Sequence, residues 1–286
     1  MLKCCLINAR SLVNINKRDE LELYMRLYDL DIVGVTESWM TAQMQDSEVQ
    51  IGGFTLYRKD RGEIRDSRGG GVLLFVKDSI DSAINEDLSE LSCESLWIKI
   101  YMDKNYSINL GICYRSESAT AAEIDCMYQA ITAASQGQAL IMGDFNYRTI
   151  NWTTLEADSH EKPFINLIQD CFLTQHVLQP TRGKNILDLI LTTDPNTIEE
   201  VEVLEHFSTS DHQIVMWSFL CTDDLVHRDL ETYCWYRADY VKLRKELCNN
   251  DWTALENKSV CEMWDLFVEI LNDAIERNVG YRRSQE

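Results

Sequence analysis

A carboxylate and an amide stand two residues apart near the middle of the chain, in the run Gly143-Asp144-Phe145-Asn146. Because alternate residues of an extended segment face the same way, Asp144 and Asn146 point to one side while Phe145 packs behind them. Such a pair can orient a water molecule and hydrogen-bond a phosphate oxygen. When this tetrapeptide is taken alone, a plain turn after a strand, with Asp and Asn as turn formers, is the better explanation.

Three further polar positions lie in or beside apolar segments. Glu37 follows one such segment, where a lone carboxylate is either solvated or a ligand for a hard cation such as Mg²⁺. Asp188 lies in the middle of another, and a buried carboxylate is costly unless it is paired. Asp211-His212 precedes a third, and a protonated His212 is a natural partner for Asp188. A hydrogen-bonded structural histidine is the simpler explanation for His212 on its own.

Short apolar segments interspersed with helical patterns predict an α/β protein. Strands are predicted around Leu6-Ile7 and at residues 32–35, 71–76, 96–101, 109–114, 139–143, 186–191 and 214–219. Helical spacing predicts helices over residues 17–28 and 121–134. The polar residues named above all lie in or next to predicted strands, so the rim of a sheet is the expected place of a site.

The composition excludes several classes of protein. The 286 residues carry 27 Lys+Arg against 47 Asp+Glu, a net charge of −20, which argues against a generic high-affinity duplex binder because phosphate neutralisation by cations supplies most of that affinity. A hydrophobic content of 45% excludes a disordered chain. Ten dispersed cysteines without a C-x-x-C pair predict free thiols, mostly in the core, of an intracellular protein in the nucleus or cytoplasm. We expect no signal peptide and no membrane span.

The last quarter of the chain has a different character. We expect strands to stop after about Cys221 and helices to follow at residues 239–247 and 260–275. The predicted division is a catalytic domain over residues 1–222 and a short helical appendage over residues 223–286. Its tryptophans are interpreted as core or interface anchors, and the helices as a packing appendage or a partner-binding surface.

The ordered set of polar residues resembles the endonuclease/exonuclease/phosphatase superfamily, which includes deoxyribonuclease I, abasic-site endonucleases and inositol phosphatases. The resemblance covers roughly residues 3–220 and rests on Asn8-Ala9-Arg10-Ser11-Leu12, Val35-Thr36-Glu37-Ser38-Trp39, Tyr114-Arg115, Gly143-Asp144-Phe145-Asn146, Ile186-Leu187-Asp188 and Ser210-Asp211-His212. It implies a deoxyribonuclease I-like fold, a four-layer α/β sandwich of two sheets.

Within the superfamily, the chain looks most like the endonuclease domain of non-LTR retrotransposons. The segments that carry this likeness are Asn8-Ala9-Arg10-Ser11, Thr36-Glu37-Ser38-Trp39, Gly69-Gly70-Gly71-Val72 and Pro180-Thr181-Arg182-Gly183. The C-terminal helices resemble the connector that precedes the reverse transcriptase of such elements. We find no reverse transcriptase pattern in these residues, since Asp223-Asp224 lacks the apolar flanks of a polymerase motif.

The resemblance implies single-metal phosphodiester hydrolysis with Mg²⁺, or alternatively Mn²⁺. Glu37 would hold the metal, and Asp211 would help to hold it or its water. Asp144 would activate the attacking water, with Asn146 and Asn8 positioning the water and the phosphate. His212, kept protonated by Asp188, would stabilise the developing charge, and Tyr114 would hydrogen-bond the phosphate. Superfamily members often carry an Asn shortly after this Tyr, whereas Arg115-Ser116-Glu117 follows here.

Cations near the site provide the predicted substrate contacts. Arg10, Arg115, Arg182 and Lys184 lie within six residues of a proposed catalytic position. Ordinary solvated loop charge explains them equally well. If they bind substrate, DNA binding would be weak and salt-dependent, with few phosphate contacts.

The sequence is compatible with three functions. The first is a DNA endonuclease that nicks one strand. The second is a phosphatase or phosphodiesterase of the same fold that acts on a small ester. The third is a catalytically idle interaction module derived from a mobile element. Oligomeric state and target preference leave no recognisable pattern in the sequence.

Overall fold

The computed structural model of the chain divides into two compact units, Met1–Leu225 and Val226–Glu286. The structure describes residues 1–64, 67–89, 93–103, 106–220, 232–233, 238–255, 259–279 and 281–282. Asp223-Asp224 and Trp235 lie outside these residues. The assignment of residues 1–222 as a catalytic domain and of residues 223–286 as a connector stays a prediction.

The larger unit is built on strands that alternate with helices along the chain. The strands are β1 (Leu2–Asn8), β2 (Ile32–Thr36), β3 (Phe54–Lys59), β4 (Val72–Lys77), β5 (Ser82–Ile84), β6 (Ser95–Asp103), β7 (Tyr106–Tyr114), β8 (Ala139–Asp144), β9 (Thr174–Gln175), β10 (Asp188–Thr192), β11 (Ile198–His206) and β12 (Gln213–Phe219). The helices are α1 (Ile15–Leu27), α2 (Glu86–Ser89), α3 (Ala121–Ala134) and α4 (Lys162–Asp170).

These strands form two six-stranded sheets. The first has the order β11-β12-β1-β2-β4-β3, and the second has the order β5-β6-β7-β8-β10-β9. Each sheet contains one parallel pair at its centre, β1 with β2 and β7 with β8, flanked by antiparallel neighbours. The two sheets therefore repeat the same local arrangement around their parallel pairs.

Both faces of each central strand are buried, which produces a layered core. In β1, Cys4 and Leu6 belong to the cluster between the sheets, whereas Cys5 and Ile7 belong to the cluster that also contains Leu21 of α1. A third cluster joins the outer face of the second sheet to α3 and α4. The order helix, sheet, sheet, helix confirms the predicted four-layer α/β sandwich.

Most predicted elements of the larger unit occur, and the missed ones have physical reasons. The helix predicted over residues 121–134 has those bounds, but the strand predicted over residues 186–191 begins only at Asp188. The unpredicted β3 and β11 are edge strands that mix charged and apolar residues, and α4 is only nine residues long. Short or half-exposed elements carry weak periodicity, so the apolar pattern favours the buried strands.

The smaller unit contains α5 (Tyr240–Asn249) and α6 (Val260–Asn278), as predicted. The expectation that strands stop after Cys221 is wrong, because β13 (Thr232–Tyr233) pairs with β14 (Tyr281–Arg282). The ring of Phe267 lies 5.9 Å from that of Trp252 and 6.0 Å from that of Trp264, between ring centroids. Trp264 is nonetheless 64% exposed, so it is not a core anchor of this unit.

Seven cysteines within the described residues are free, and four of them, Cys4, Cys5, Cys93 and Cys113, are buried. This agrees with the expectation of core thiols. Within the same part of the chain, the helices are too short or too polar to cross a membrane.

Gly143 is the glycine that the position of Asp144 requires. Its φ is +153°, and a Cβ atom built there would lie 1.8 Å from the carbonyl oxygen of Cys113 on the neighbouring strand β7. No side chain can occupy that space without moving a backbone atom. The residue before Asp144 therefore holds β8 close to β7 at the point where both strands end.

We expect Gly143→Ala to destabilise the protein by more than ~1 kcal/mol, because both the positive φ and the contact with Cys113 oppose a methyl group. Thermal unfolding measures the loss. Gly52→Ala is the matched control, since a Cβ there meets nothing within 4 Å. Equal melting temperatures for the two variants would contradict the prediction.

Candidate active site

Six of the residues predicted to be catalytic or to bind the metal meet at one edge of the two sheets. Four of them lie at the carboxyl ends of the parallel strands, Asn8 in β1, Glu37 just after β2, Tyr114 in β7 and Asp144 in β8. Asp188 begins β10 and pairs with Asp144, and His212 immediately precedes β12. Since β10 and β12 run antiparallel to β8 and β1, their starting residues lie at the edge where the parallel strands end.

Asn8 connects the two sheets at this edge. Its Nδ2 donates to Oε1 of Glu37 at 3.1 Å and to Oδ2 of Asp144 at 2.9 Å. Its Oδ1 accepts the backbone N–H of Arg10 at 3.1 Å. Asn8 is 2% exposed, so an amide that satisfies both its donors and its acceptor fits the position better than an apolar residue.

Glu37 is a partly exposed carboxylate held by three donors. Besides Asn8, the hydroxyl of Tyr114 donates to its Oε1 at 3.1 Å, and the indole Nε1 of Trp39 donates to its Oε2 at 3.2 Å. Burial first, and then the charges of Glu37 and Asp144, raise the pKa of Tyr114. The tyrosine hydroxyl therefore stays protonated and remains a donor.

The loops that carry these residues form one hydrogen-bonded layer, here called the loop ladder. Its bonds run from Ser11 N to Glu37 O (2.7 Å), from Leu12 N to Ser38 O (2.8 Å), and from Trp39 N to Gly70 O (2.8 Å). Arg10, Ser11, Glu37 and Trp39 all have positive φ. Such backbone costs about 1–3 kcal/mol per residue and persists where surrounding bonds hold it. The ladder supplies those bonds.

His212 lies between two buried aspartates. Its Nδ1 is 2.8 Å from Oδ2 of Asp188, and its Nε2 is 3.8 Å from Oδ2 of Asp144. The three residues are at most 2% exposed. Burial disfavours the charged imidazole, but Asp188, by its charge and hydrogen bond, and then Asp144 outweigh this and raise the pKa of His212 to about 9. The imidazole is therefore protonated at neutral pH.

The environment of Asp144 makes it an unusually basic carboxylate. Burial, followed by the charges of Asp188 and Glu37, raises the pKa of Asp144 well above its usual range, although His212 and the amide of Asn8 oppose the shift. A carboxylate whose pKa moves toward neutrality is suited to accept a proton from water.

Asn146 leaves one acceptor unused next to Asp144. Its backbone N–H donates to Oδ1 of Asp144 at 3.1 Å, and its Nδ2 donates to the carbonyl oxygen of Arg115 at 3.0 Å. Its Oδ1 is buried without a partner among the described residues, as is Oδ1 of Asp188. Buried polar atoms are normally satisfied, so a ligand or water is expected to complete these two.

The donor set fits a hard divalent cation. One ligand atom each of Asp144, Asp188 and His212 lies within 4.8 Å of the others. Because Asp188 occupies Nδ1 of a protonated His212, we expect carboxylate oxygens rather than this imidazole to be the ligands, above all those of the more accessible Glu37.

Asp211, which was predicted to help hold the metal, forms ion pairs with two arginines. Its Oδ2 accepts from Nε of Arg182 at 2.8 Å and lies 2.7 Å from Nη2 of that residue, and its Oδ1 is 3.2 Å from Nη1 of Arg10. Burial opposes the charged carboxylate, but Arg182 and then Arg10 hold the pKa of Asp211 below its usual range. A role at the metal stays a prediction, and it would require these ion pairs to be shared.

The other predicted substrate cations differ in their surroundings. Arg115 donates to the carbonyl oxygens of Phe145 (3.3 Å) and Asn146 (3.2 Å), and its guanidinium lies 4.3 Å from the ring centroid of Tyr147. It therefore supports the loop that carries Asn146. Lys184 is exposed in the turn that joins Arg182 to Asn185.

Three residues at the site were not predicted as site residues. They are Trp39, which binds Glu37, Arg61, whose guanidinium lies 5.5 Å from the ring centroid of Tyr114, and Thr181, which binds the backbone of Asp188. Trp39 and Thr181 stand in motifs that carry the family resemblance, and this is the feature of the sequence that could have identified them as site residues. Arg61 stands in a mixed-charge segment without a distinguishing pattern.

A sequence model of the Endonuclease/Exonuclease/phosphatase family matches residues 10–212, which is most of the chain. The chain belongs to this family. The match includes Glu37, Tyr114, Asp144, Asn146, Asp188 and His212, so the predicted membership is confirmed. No curated protein matches the chain in sequence.

Several solved structures share the fold at low identity. The endonuclease domain of TRAS1, a telomere-specific non-LTR retrotransposon, is 14% identical with a TM-score of 0.61, over 78% of this chain and 100% of that one. The mannosyl-6-phosphatase Bt3783 of Bacteroides thetaiotaomicron VPI-5482 is 14% identical with a TM-score of 0.56, over 77% and 100%. The 3′ phosphatase NExo of Neisseria, bound to a product DNA hairpin, is 12% identical with a TM-score of 0.56, over 77% and 100%.

We expect Asp188→Asn to move the alkaline limb of the pH–activity profile downward by roughly 1–3 units, because His212 loses the carboxylate that raises its pKa. A raised folded-state pKa has a second consequence. The stability that this pair contributes is fully present below the unfolded pKa near 6.5 and is lost as the pH rises through about 9.

The pH profile of hydrolysis and the melting temperature across the same pH range measure both effects. Asp29→Asn is the matched control, because Asp29 is an exposed aspartate that pairs with Lys77. An alkaline limb at the same pH in Asp188→Asn and the natural protein would disprove the role given to Asp188.

Proposed function

We propose that the chain is a divalent-metal-dependent endonuclease that hydrolyses a phosphodiester bond and nicks DNA. The observation that carries the proposal is the cluster itself, in which the carboxylates Glu37 and Asp144, the protonated His212 and the donors Asn8 and Tyr114 meet at one edge. The likeness of the motifs and of the fold to non-LTR retrotransposon endonucleases supports an origin in such an element.

The residues of the cluster divide the reaction among themselves. Asp144 accepts a proton from the attacking water as the oxygen of that water forms a bond to phosphorus and the opposite phosphorus–oxygen bond breaks. Asn146 and Asn8 orient the water and the phosphate. The His212 imidazolium and the Tyr114 hydroxyl stabilise negative charge on the phosphoryl oxygens. A bound divalent cation, held by Glu37, would supply further charge stabilisation at the phosphate and the leaving oxygen.

The arginines beside the cluster favour a substrate with more than one phosphate. Arg10 and Arg182 lie on Asp211, next to His212 but outside the set of residues that would hold the scissile group. One shared carboxylate leaves the pair with a net positive charge. In a protein of net charge −20, this small local positive charge supports weak and salt-dependent binding of DNA.

A phosphatase acting on a small ester is the second candidate. The similarity of the fold to a mannosyl-6-phosphatase favours it, since the same cluster can serve either substrate. The arginine pair would then have no phosphate to bind. A catalytically idle module is the third outcome that the following experiments would detect.

The natural protein is expected to convert supercoiled plasmid to the nicked form with Mg²⁺ and to stop when EDTA is added. Asp144→Ala or His212→Ala should reduce the rate by at least about 100-fold, because Asp144 accepts the proton of the attacking water and His212 stabilises the charge of the transition state. The measurement is the rate of conversion on agarose gels. Glu22→Gln, which changes an exposed helix carboxylate, is the control. Near-full nicking by either alanine variant would overturn the assignment.

Arg182→Gln should reduce plasmid nicking more than hydrolysis of the small diester bis(4-nitrophenyl) phosphate, because only DNA presents a second phosphate. The slope of log KM for DNA against log salt should also fall by about 1. Arg26→Gln, which removes another surface cation paired with a carboxylate, is the control. Equal losses on the two substrates would contradict a role of Arg182 in binding a second phosphate, because the arginine would then act on the step that both substrates share.

A further inference from the structure

Thr181 is a fully buried residue in the loop between β9 and β10. Its Oγ1 accepts two backbone N–H groups, from Leu187 at 3.0 Å and from Asp188 at 3.1 Å. A hydroxyl oxygen has two lone pairs, and both are used here. The hydroxyl therefore fixes the backbone of Asp188 at the first residue of its strand.

The backbone of Thr181 extends the same connection to the other sheet. Its carbonyl oxygen accepts the N–H of Gln213 at 2.7 Å, and its own N–H donates to the carbonyl oxygen of Asn185 at 2.9 Å. Gln213 directly follows His212 and begins β12. One residue thus binds the backbone of Asp188 in the second sheet and the backbone next to His212 in the first.

Thr181 thereby connects the backbone at Asp188 with the backbone next to His212, and the side chains of these two residues form the buried pair of the site. Asp188 and His212 approach through a single bond of 2.8 Å between Oδ2 and Nδ1. These residues belong to different sheets, so no β-ladder sets their separation. The backbone bonds of Thr181 do so instead, and the adjacent Arg182 binds Asp211, the residue before His212.

We propose that Thr181 is a positioning residue that sets the distance and orientation of the Asp188–His212 pair across the two sheets. The proposal rests on the proposed function for its kinetic consequence, because it acts through His212. It assigns the hydroxyl a role that the neighbouring groups cannot fill. Valine has nearly the shape of threonine but no acceptor, whereas serine keeps the acceptor.

The first experiment compares Thr181→Val with Thr181→Ser. We expect Thr181→Val to lower kcat for plasmid nicking by about 10-fold to 100-fold with KM for DNA within about twofold, because misplacement of a reacting group affects the chemical step. Thr181→Ser should restore most of the rate. A loss in Thr181→Val that is confined to KM, or a serine variant as slow as the valine variant, would overturn the proposal.

Thr192→Val is the matched control. Thr192 is buried in the same strand β10, but it pairs with Leu140 at the far end of β8, and its hydroxyl contacts His176 and the backbone of Asp194. The Thr192→Val variant should have a lowered melting temperature, as Thr181→Val does, but an unchanged kcat. Equal kcat losses in the two valine variants would mean that general destabilisation explains the effect, and the proposal would fall.

A double-mutant comparison tests the route of action. If Thr181 acts through Asp188 and His212, Thr181→Val should slow an Asp188→Asn variant by less than about twofold, far less than it slows the natural protein. The same fold-loss in both backgrounds would contradict the proposal.

A spectroscopic measurement separates this proposal from the proposed function. In metal-free protein labelled with ¹⁵N-histidine, the Nδ1–H proton of His212 bound to Asp188 should give a downfield resonance that Asp188→Asn abolishes. Thr181→Val should shift or broaden this resonance, and Thr181→Ser should retain it. An unchanged resonance in Thr181→Val would overturn the positioning role, whether or not the chain cuts DNA.

Discussion

The approach of His212 to two buried aspartates is the interaction on which the site depends. A lone charge at this depth would be expelled or neutralised, yet one imidazolium between Asp144 and Asp188 compensates two carboxylates in part. The net negative charge that remains is chemically useful, because it keeps the pKa of Asp144 raised and the carboxylate basic. The same charge explains why a divalent cation suits the edge beside Glu37. The neighbouring amide of Asn8 and hydroxyl of Tyr114 contribute donors without adding another charge.

The architecture brings these groups together by repetition. Each sheet has a parallel pair whose carboxyl ends present two polar residues, Asn8 with Glu37 in one and Tyr114 with Asp144 in the other. In each sheet, the strand that runs antiparallel beside this pair begins at the same edge, and the residues at its start complete the set. When the two sheets pack face to face, both edges coincide. The site is therefore a consequence of how the strands are ordered, and the apolar layers between them keep its parts in register.

The sequence predicted the parts of the site better than their connections. A carboxylate inside an apolar run, as at Asp188, needs a partner, and this requirement predicts His212. The strands around Asp144 and Tyr114 are buried on both faces, so their apolar runs were visible. The pairing of Asp211 with Arg10 and Arg182 depends on loops that meet only in three dimensions, and so does the contact of Thr181 with Asp188. No local pattern encodes such contacts.

The loop ladder holds the backbone of the catalytic edge with hydrogen bonds, as a sheet holds its strands. The amides of Ser11, Leu12 and Trp39 are bonded to neighbouring loops much as strand amides are bonded within a ladder, although these residues lie beyond the strand ends. Their hydrogen exchange with solvent should accordingly resemble that of β1 and β2 more than that of surface loops. A substrate would meet a surface that is already ordered before contact. Little conformational entropy is then left to lose on binding at this face, so adaptation to different substrates must come from segments outside the ladder.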